Sequence, residues 1–558
     1  MRSTAHVDTF AQDRLPPRAQ WPVFHLDRPE YRYPERINAA AALLDVALAR
    51  GWGERVALRS TASGRLITCT YAQLAAQANR IARVLVEDLN LVPGNRVLLR
   101  GPNAPMLAAA FLAVLKAGLI AVPTMPLLRA RELKQVIDKA QVQAAIVDAR
   151  LRDELLPCQD PQSEHHCASL SQVLLYNDDA ARSLDALARA KPSAFEAVPT
   201  QRDDVALIAF TSGTTGQPKG TVHFHRDILV MSDAFPRHVL QPAADDIFIG
   251  TPPLAFTFGL GGLLTMPLRC GASVVLNERY TPETLLATIA QTGASVLFTA
   301  PTMYRQLALL LQDPARKLAV PTLNKCVSAG EALPDATRSL WRATTGIELI
   351  DGIGATEMIH IFISSAGSDV RPGAIGKVVP GYVAQIVDDD MRPLPIGEVG
   401  RLAVQGPSGC RYLDDPRQRN YVRDGWNLTG DTFRMDADGY FFYQARSDDM
   451  IVSAGYNITG PEVEAALLLH PAVAECGVVG APDDERGQVV KAYVVLKDAA
   501  APAPGGAEAL RLALQEFVKQ QIAPFKYPRL IEFVERLPRT ETGKLQRFRL
   551  RQMAREGT

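Results

Sequence analysis

The 558-residue chain has no CxxC pair among its seven cysteines. Cys69, Cys158, Cys167, Cys270, Cys326, Cys410 and Cys476 stand far apart, which argues against a disulfide framework or a thiolate zinc site and for reduced thiols. There is no charge excess either. Lys+Arg and Asp+Glu each number 60, so nothing offers the basic surface on which nucleic-acid affinity rests, and no nucleic-acid partner is expected. A long apolar run is also missing. The most membrane-like stretch, 106–123, is interrupted by Lys116 and Gly118 and ended by Pro123, so it reads as a buried helix and a strand, and no membrane partner is expected. The opening residues MRSTAHVDTFAQD lack the apolar core of a secretory signal, which makes the cytoplasm the expected location. No short-period repeat marks a solenoid.

What is present suits a globular protein of two or more domains, since one compact core does not grow to this length. Residues 1–40, rich in Pro, Arg and aromatics, are expected to lie over a larger body. An amphipathic helix over 71–87, a strand over 96–99, a helix from Asn103, and a helix-to-strand change over 135–147 predict an α/β sheet covered by helices. Residues 168–199 are polar and alanine-rich and read as a lid or connector. Strands are predicted at 205–210, 247–250, 273–276, 296–299 and 325–328, separated by helices such as 282–292 and 334–343. After Asp448 the pattern changes. Helices at 461–468 and 510–521 with strands at 473–480, 489–496 and 530–533 suffice for a small α+β domain. The expected division is 1–447 and 448–558.

The strongest local signal is TSGTTGQPKG, residues 211–220, directly after the apolar strand at 205–210. Gly213, Gly216 and Gly220 permit tight backbone conformations, and successive N–H groups in such a loop can surround phosphate oxygens. Thr211, Ser212, Thr214 and Thr215 add hydroxyls, and Lys219 adds a positive charge on a long stem. The spacing is not that of the nucleotide-kinase loop GxxxxGK[ST].

This run resembles the signature loop of the adenylate-forming superfamily of acyl-CoA synthetases, peptide-synthetase adenylation domains and luciferases. Later motifs follow in that family's order. DGIGATE, 351–357, resembles its adenylate and magnesium motif. TGD, 429–431, resembles its ribose motif, and ARSDD, 445–449, its interdomain hinge. SAGYNI, 453–458, and PEVE, 461–464, resemble the start of its mobile domain. PRTETGK, 538–544, resembles its catalytic-lysine loop. The resemblance spans about 45–550.

It implies a large multi-subdomain α/β body with a small mobile α+β C-terminal domain, using ATP and Mg2+ with coenzyme A as co-substrate. Lys544 would stabilise charge developing at the α-phosphate, a matter of electrostatics rather than proton transfer. Thr356 would contact the α-phosphate or the acyl-adenylate, and Glu357 would ligate Mg2+. Asp431 would accept from the ribose hydroxyls, with Arg446 nearby. Gly330, Glu331, Ala332, Asp351, Gly352 and Ile353 would form the adenine side. Asp448 would be the hinge, and Gly455 and Tyr456 would face the thioester channel after rotation. Ala445 stands where the family has glycine, which bears on hinge geometry. The resemblance is compatible with a homodimer.

The acid pocket is expected beside the adenylate motif. Its candidate walls are Ala234, Phe235, Phe256, Ala329, Gly330, Ile353, Gly354, Ala355 and His360, mostly apolar or small, which suits a flat aromatic ring. The segments TPPLAFTFGLGGLL and GIGATEMIHIF resemble those of bacterial benzoate- and 2-aminobenzoate-CoA ligases. Two readings stand for Phe256, a gate of the carboxylate pocket or a plain core residue. Two also stand for His360, a sensor of an ortho amine or a neutral packing histidine. A small aromatic carboxylic acid, with 2-aminobenzoate or benzoate preferred, is the expected substrate. The alternatives are an alicyclic or fatty acid, loading of a carrier-protein phosphopantetheine, and a nucleotide sensor without turnover.

Overall fold

The computed structural model describes residues 4–62, 65–211, 218–315, 318–446, 449–453, 456–483, 486–497, 506–522, 524–539 and 545–556. Among these residues the strands form five sheets. A nine-stranded sheet runs Lys377–Val378, Ile361–Ser364, Leu349–Gly354, Lys325–Ala329, Val296–Thr299, Ile247–Gly250, Ser273–Val275, Val56–Ala62 and Arg65–Thr70 in spatial order. Its interior pairings are parallel, and antiparallel strands close both edges. A six-stranded sheet runs Gln172–Tyr176, Ala144–Asp148, Arg96–Arg100, Ile120–Thr124, Val205–Thr211 and Lys219–Phe224. Helix Pro105–Lys116 has an apolar sequence on nearly every face and is buried all round between elements of this body, as its composition predicts.

A third, antiparallel sheet is built from Val383–Val387, Val399–Gln405, Val422–Arg423, Trp426–Met435 and Phe441–Arg446. After it come the short hairpin Ile451–Ser453 with Tyr456–Ile458, and a three-stranded sheet of Val473–Asp483, Gly487–Leu496 and Leu530–Phe533. Two core clusters belong wholly to this last region, one around Val463, Val478, Val494 and Leu514, the other around Tyr493, Leu537 and Leu550. It therefore has apolar cores of its own.

Residues 168–199 correct the expectation of a lid or connector. Gln172–Tyr176 is an edge strand in parallel register with Ala144–Asp148, and helix Leu184–Arg189 follows it. A five-residue strand among Ser, Asn and Asp turns carries little local signal. Its pairing comes from the neighbouring strand, not from its own pattern. The N-terminal residues do lie over the body. The carboxylate of Asp204 accepts from Ala5 N–H at 3.0 Å, and Arg96 Nη1 pairs with Asp8 at 2.5 Å.

His225 opens helix His225–Phe235 and is fully buried, its Nδ1 accepting from Ala39 N–H at 3.1 Å. Burial pushes its pKa down to about 3, and burial likewise holds His360 down to about 4. Both stay neutral in the folded state, while the unfolded chain binds their protons near pH 6.5. Their stability contribution is present above pH 6.5 and is lost as pH falls towards 4, at about 1.4 kcal/mol per pH unit for each histidine. The urea midpoint is expected to be lower at pH 5 than at pH 7. His225→Gln, which keeps an acceptor for Ala39 N–H, is expected to narrow that gap, and an unchanged gap would refute the assignment.

Candidate active site

One large cleft is lined from both the body and the C-terminal region. Its walls include Thr211, Lys219, Phe256, Phe258, Ala329, Glu331, Thr356, Glu357, His360, Asp431, Arg539 and Leu545. The strands on either side of residues 212–217 pair with one another. Val205–Thr211 pairs antiparallel with Lys219–Phe224, with Thr211 opposite Lys219. A strand, not a helix, therefore follows the run, and helix His225–Phe235 comes only after it. The second of these strands has another neighbour on its free side. Val222 N–H donates to Arg411 O at 2.7 Å, and Leu413 N–H donates to Gly220 O at 2.8 Å.

Glu357 lies in a short 3-10 turn, Thr356–Met358. Its Oε1 accepts the Tyr412 hydroxyl at 2.5 Å and lies 3.6 Å from Lys219 Nζ. Lys219 Nζ donates to the Tyr412 oxygen at 2.9 Å and lies 4.9 Å from the centre of that ring. Buried His223 Nε2 is 2.8 Å from Thr356 O, so this nitrogen carries the proton and donates. The turn ends on Ile359 at φ +67°, where a β-branched side chain is strained by roughly 1–3 kcal/mol. That strained step directs His360 back against the helix region following Phe256.

His360 is buried between the rings of Phe235 and Phe258, with centroids 5.9 Å and 5.8 Å away. Its Nε2 makes a long contact of 3.4 Å with Phe258 O, and among the described residues its Nδ1 has no partner. Room for the ring comes from Gly261, in the π-turn Gly261–Thr265. A Cβ there would stand 2.5 Å from His360 Cδ2.

The remaining sequence candidates divide clearly. Ala329, Gly330, Glu331, Ala332, Asp351, Gly354 and Ala355 reach the cleft together with Phe256, which is half-buried at its wall. Burial raises the Asp351 carboxyl to about 7 against the opposing pull of Arg338. Asp431 also lines the cleft, and Arg446 stands opposite it in strand register. Ala234 and Phe235 are buried in the core, Ala234 with Met358 and Phe362. Gly352 is buried in its strand, and Ile353 packs against that same core. Ser212, Gly213, Thr214, Thr215, Gly216, Asp448, Gly455 and Lys544 lie outside the described residues, and of Tyr456 and Arg446 only the backbone is described. Tyr412 and Phe258 line the cleft and buried His223 holds Thr356 O, and the motif reading named none of the three. No motif marks Tyr412, and its bridge to Thr221 is a long-range fact.

Residues 46–411, more than half of the chain, match the family described as AMP-binding enzyme, and residues 462–544 match the AMP-binding enzyme C-terminal domain. A benzoate–CoA ligase of Thauera aromatica is 36% identical over 527 residues, covering 94% of this chain and 97% of the relative. The crystal structure of an anthranilate CoA ligase in complex with anthranoyl-AMP superposes with a TM-score of 0.87 at 32% identity, covering 95% of this chain and 99% of that one. A benzoate CoA ligase from Burkholderia xenovorans LB400 superposes with a TM-score of 0.82 at 32% identity, covering 92% and 100%. Sequence motifs, sheet order and these likenesses agree: the chain belongs to the AMP-binding, adenylate-forming enzyme family and is an ATP-dependent acyl-CoA ligase.

Proposed function

We propose that the enzyme is an aryl acid–CoA ligase acting on 2-aminobenzoate or benzoate. The observation that carries this reading is the joining, in one cleft, of the Lys219–Tyr412–Glu357 cluster to a wall of Phe256, Phe258 and His360. In the first step the carboxylate oxygen attacks the α-phosphorus of ATP and pyrophosphate leaves, giving acyl-AMP. In the second the thiolate sulfur of coenzyme A attacks the acyl carbon and AMP leaves.

Lys219 and the run before it hold the phosphates, Thr356 sits at the acyl-adenylate, and Asp431 takes the ribose hydroxyls. Lys544 meets the charge that develops at the α-phosphate. Asp448 is the hinge between the two steps, with Gly455 and Tyr456 on the thiol side. Among the described residues no three His, Cys, Asp or Glu side chains gather as a metal cage. A single buried carboxylate, Glu357, beside a phosphate loop instead fits Mg2+, which takes one or two protein carboxylates and completes its shell with phosphate oxygens and water. Bound there, Mg2+ would neutralise charge on the departing pyrophosphate.

His360 supports the ortho-amino preference. Its Nε2 faces a carbonyl and must be the protonated nitrogen, and burial keeps the ring neutral, so Nδ1 is left as an acceptor. An ortho amine brings the matching N–H donor. His360→Leu is therefore expected to lower kcat/KM for 2-aminobenzoate relative to benzoate by about tenfold, the value of one net hydrogen bond. An unchanged ratio would remove His360 from the recognition of the ring.

The whole reading is tested by an acid panel with ATP and Mg2+, scored separately for pyrophosphate and for CoA thioester. Benzoate and 2-aminobenzoate are expected to give both products. Turnover of straight-chain or alicyclic acids alone would sink the aryl assignment, and pyrophosphate release without CoA thioester would point to a carrier-protein acceptor.

A further inference from the structure

The buried phenol of Tyr412 stands between two opposite charges that would otherwise meet. Its backbone is fixed by three neighbours. Residues 411–413 run antiparallel to strand Lys219–Phe224, with Tyr412 opposite Thr221. Tyr412 N–H donates to Gln418 Oε1 at 2.8 Å, and Gln418 Nε2 is tied in turn to Gln20 O at 2.8 Å. The ring lies edge-on to Tyr421, centroids 5.7 Å apart, and the residue is 1% exposed. The phenol oxygen is thus held at a set point, where it accepts from Lys219 Nζ at 2.9 Å and donates to Glu357 Oε1 at 2.5 Å. The direct Lys219–Glu357 separation is 3.6 Å, beyond hydrogen-bond length.

The geometry points to Tyr412 as the residue that positions Glu357 for the metal and Lys219 for the phosphates. This inference rests on the adenylating reading of the site. The phenol acts as a spacer. It occupies one oxygen of Glu357 with a neutral donor and leaves Oε2 for a cation. It also takes a single N–H of Lys219 and leaves the other two for phosphate oxygens. Without the hydroxyl, ammonium and carboxylate are free to close into a contact pair, and that pair must break before metal and triphosphate can bind. Groups that orient a metal-binding carboxylate commonly change metal affinity by 10–100-fold when removed. Tyr412 is a positioning residue, since its contacts are to Glu357 and Lys219 and not to reacting atoms.

The test uses Tyr412→Phe in the full chain, with Mn2+ as probe. Binding of Mn2+ together with ATP is followed by electron paramagnetic resonance, and the Mg2+ dependence of acid-driven pyrophosphate release is measured in parallel. The expected result is an apparent Kd for Mn2+ with ATP raised about tenfold, and half-saturating Mg2+ raised to match. The fall in kcat at saturating Mg2+ is expected to be smaller than either. Equal Mn2+ affinity in wild type and variant overturns the inference, and so does a fall in kcat with no change in half-saturating Mg2+. A double-mutant cycle guards against a merely structural effect. In a Glu357→Gln background, Tyr412→Phe is expected to add no further loss of Mn2+ affinity, and additive losses overturn the inference as well. Wild-type protein that binds Mn2+ with ATP yet releases no pyrophosphate with any acid would sink the ligase reading alone, because the binding comparison does not need turnover.

Discussion

Lys544→Ala lowers acyl-adenylate formation by about 10²–10³-fold, the effect typical of removing one preorganised group that meets charge developing in a transition state. Two described neighbours carry the expectation. Arg539 and Leu545 flank the segment in sequence, are joined by an antiparallel bridge, and both line the cleft. Arg539 also reaches across to the body, 3.5 Å from Glu331 Oε1 and 2.8 Å from Glu475 of its own region. The base of the lysine segment is thereby pinned beside the residues proposed for the adenine side. Charge builds on the α-phosphate only during carboxylate attack, so the loss belongs to kcat of the first step and not to ground-state binding. Thioester formation from supplied acyl-adenylate and CoA makes no such demand. It is expected to fall by less than a tenth as much on a logarithmic scale. The check is acid-dependent pyrophosphate exchange beside a single-turnover thioester assay on the same variant. Equal loss in the two assays would place Lys544 outside the phosphate chemistry.

The fold and the site were legible in the sequence to different depths. Strands flanked by glycine or proline and buried on both faces, such as Val296–Thr299 and Lys325–Ala329, announce themselves as short apolar runs. Helix Pro282–Thr292 has its Pro at the first position, a Thr281 cap and Gly293 at φ +69° beyond its end, all local signals. The strand Gln172–Tyr176 has no such marks. In the site, Glu357 and Lys219 stand in contiguous motifs visible in the sequence, and both line the cleft. Tyr412 and His223 stand in no such motif. Their contacts to Glu357 and Thr356 join positions 55 and 133 residues apart, and that proximity is made by sheet pairing, which no single-sequence pattern encodes. Of the acid-pocket candidates, Phe256, Ala329, Gly330, Gly354, Ala355 and His360 line the cleft, while Ala234 and Phe235 are buried in the core. Phe235 is aromatic and close in sequence to Lys219, but helix His225–Phe235 is buried along its whole length, and Phe235 packs against the His360 ring in the core.

Arg411→Ala destabilises the body by about 3–5 kcal/mol, the cost of leaving one member of a buried ion pair without its partner. Arg411 and Asp227 are both fully buried, and the guanidinium bonds the carboxylate directly. It also lies 4.0 Å from the centre of the Phe224 ring and 5.0 Å from that of Phe24, so its planar face is covered by aromatic carbon as well. Burial alone would raise the Asp227 carboxyl, but the Arg411 charge, with that of Arg226 beside it, holds it well below the usual carboxylate range. Asp227 is therefore ionised at neutral pH and caps the helix by accepting from Phe224 N–H at 2.9 Å. Removing Arg411 leaves that buried charge with only the longer contact to Arg226, 3.7 Å from Asp227 Oδ1. Because the folded carboxyl is held below its unfolded value, the contribution of the pair is present above about pH 3.9 and is lost only as pH falls through lower values. The deficit of Arg411→Ala should thus be full at pH 7, read as a lower urea midpoint at an unchanged slope. Asp227→Ala in the same background should cost less than the two single losses added, because the charge left stranded by the first change is removed by the second. A deficit below 1 kcal/mol for Arg411→Ala, or strict additivity in the double variant, would mean that the pair contributes no more than an exposed one. The same pair borders His223, whose Nδ1 lies 3.7 Å from Asp227 and whose Nε2 holds Thr356 O. Loss of Arg411 is therefore expected to loosen the turn that carries Glu357, linking the stability of the core to the readiness of the phosphate site.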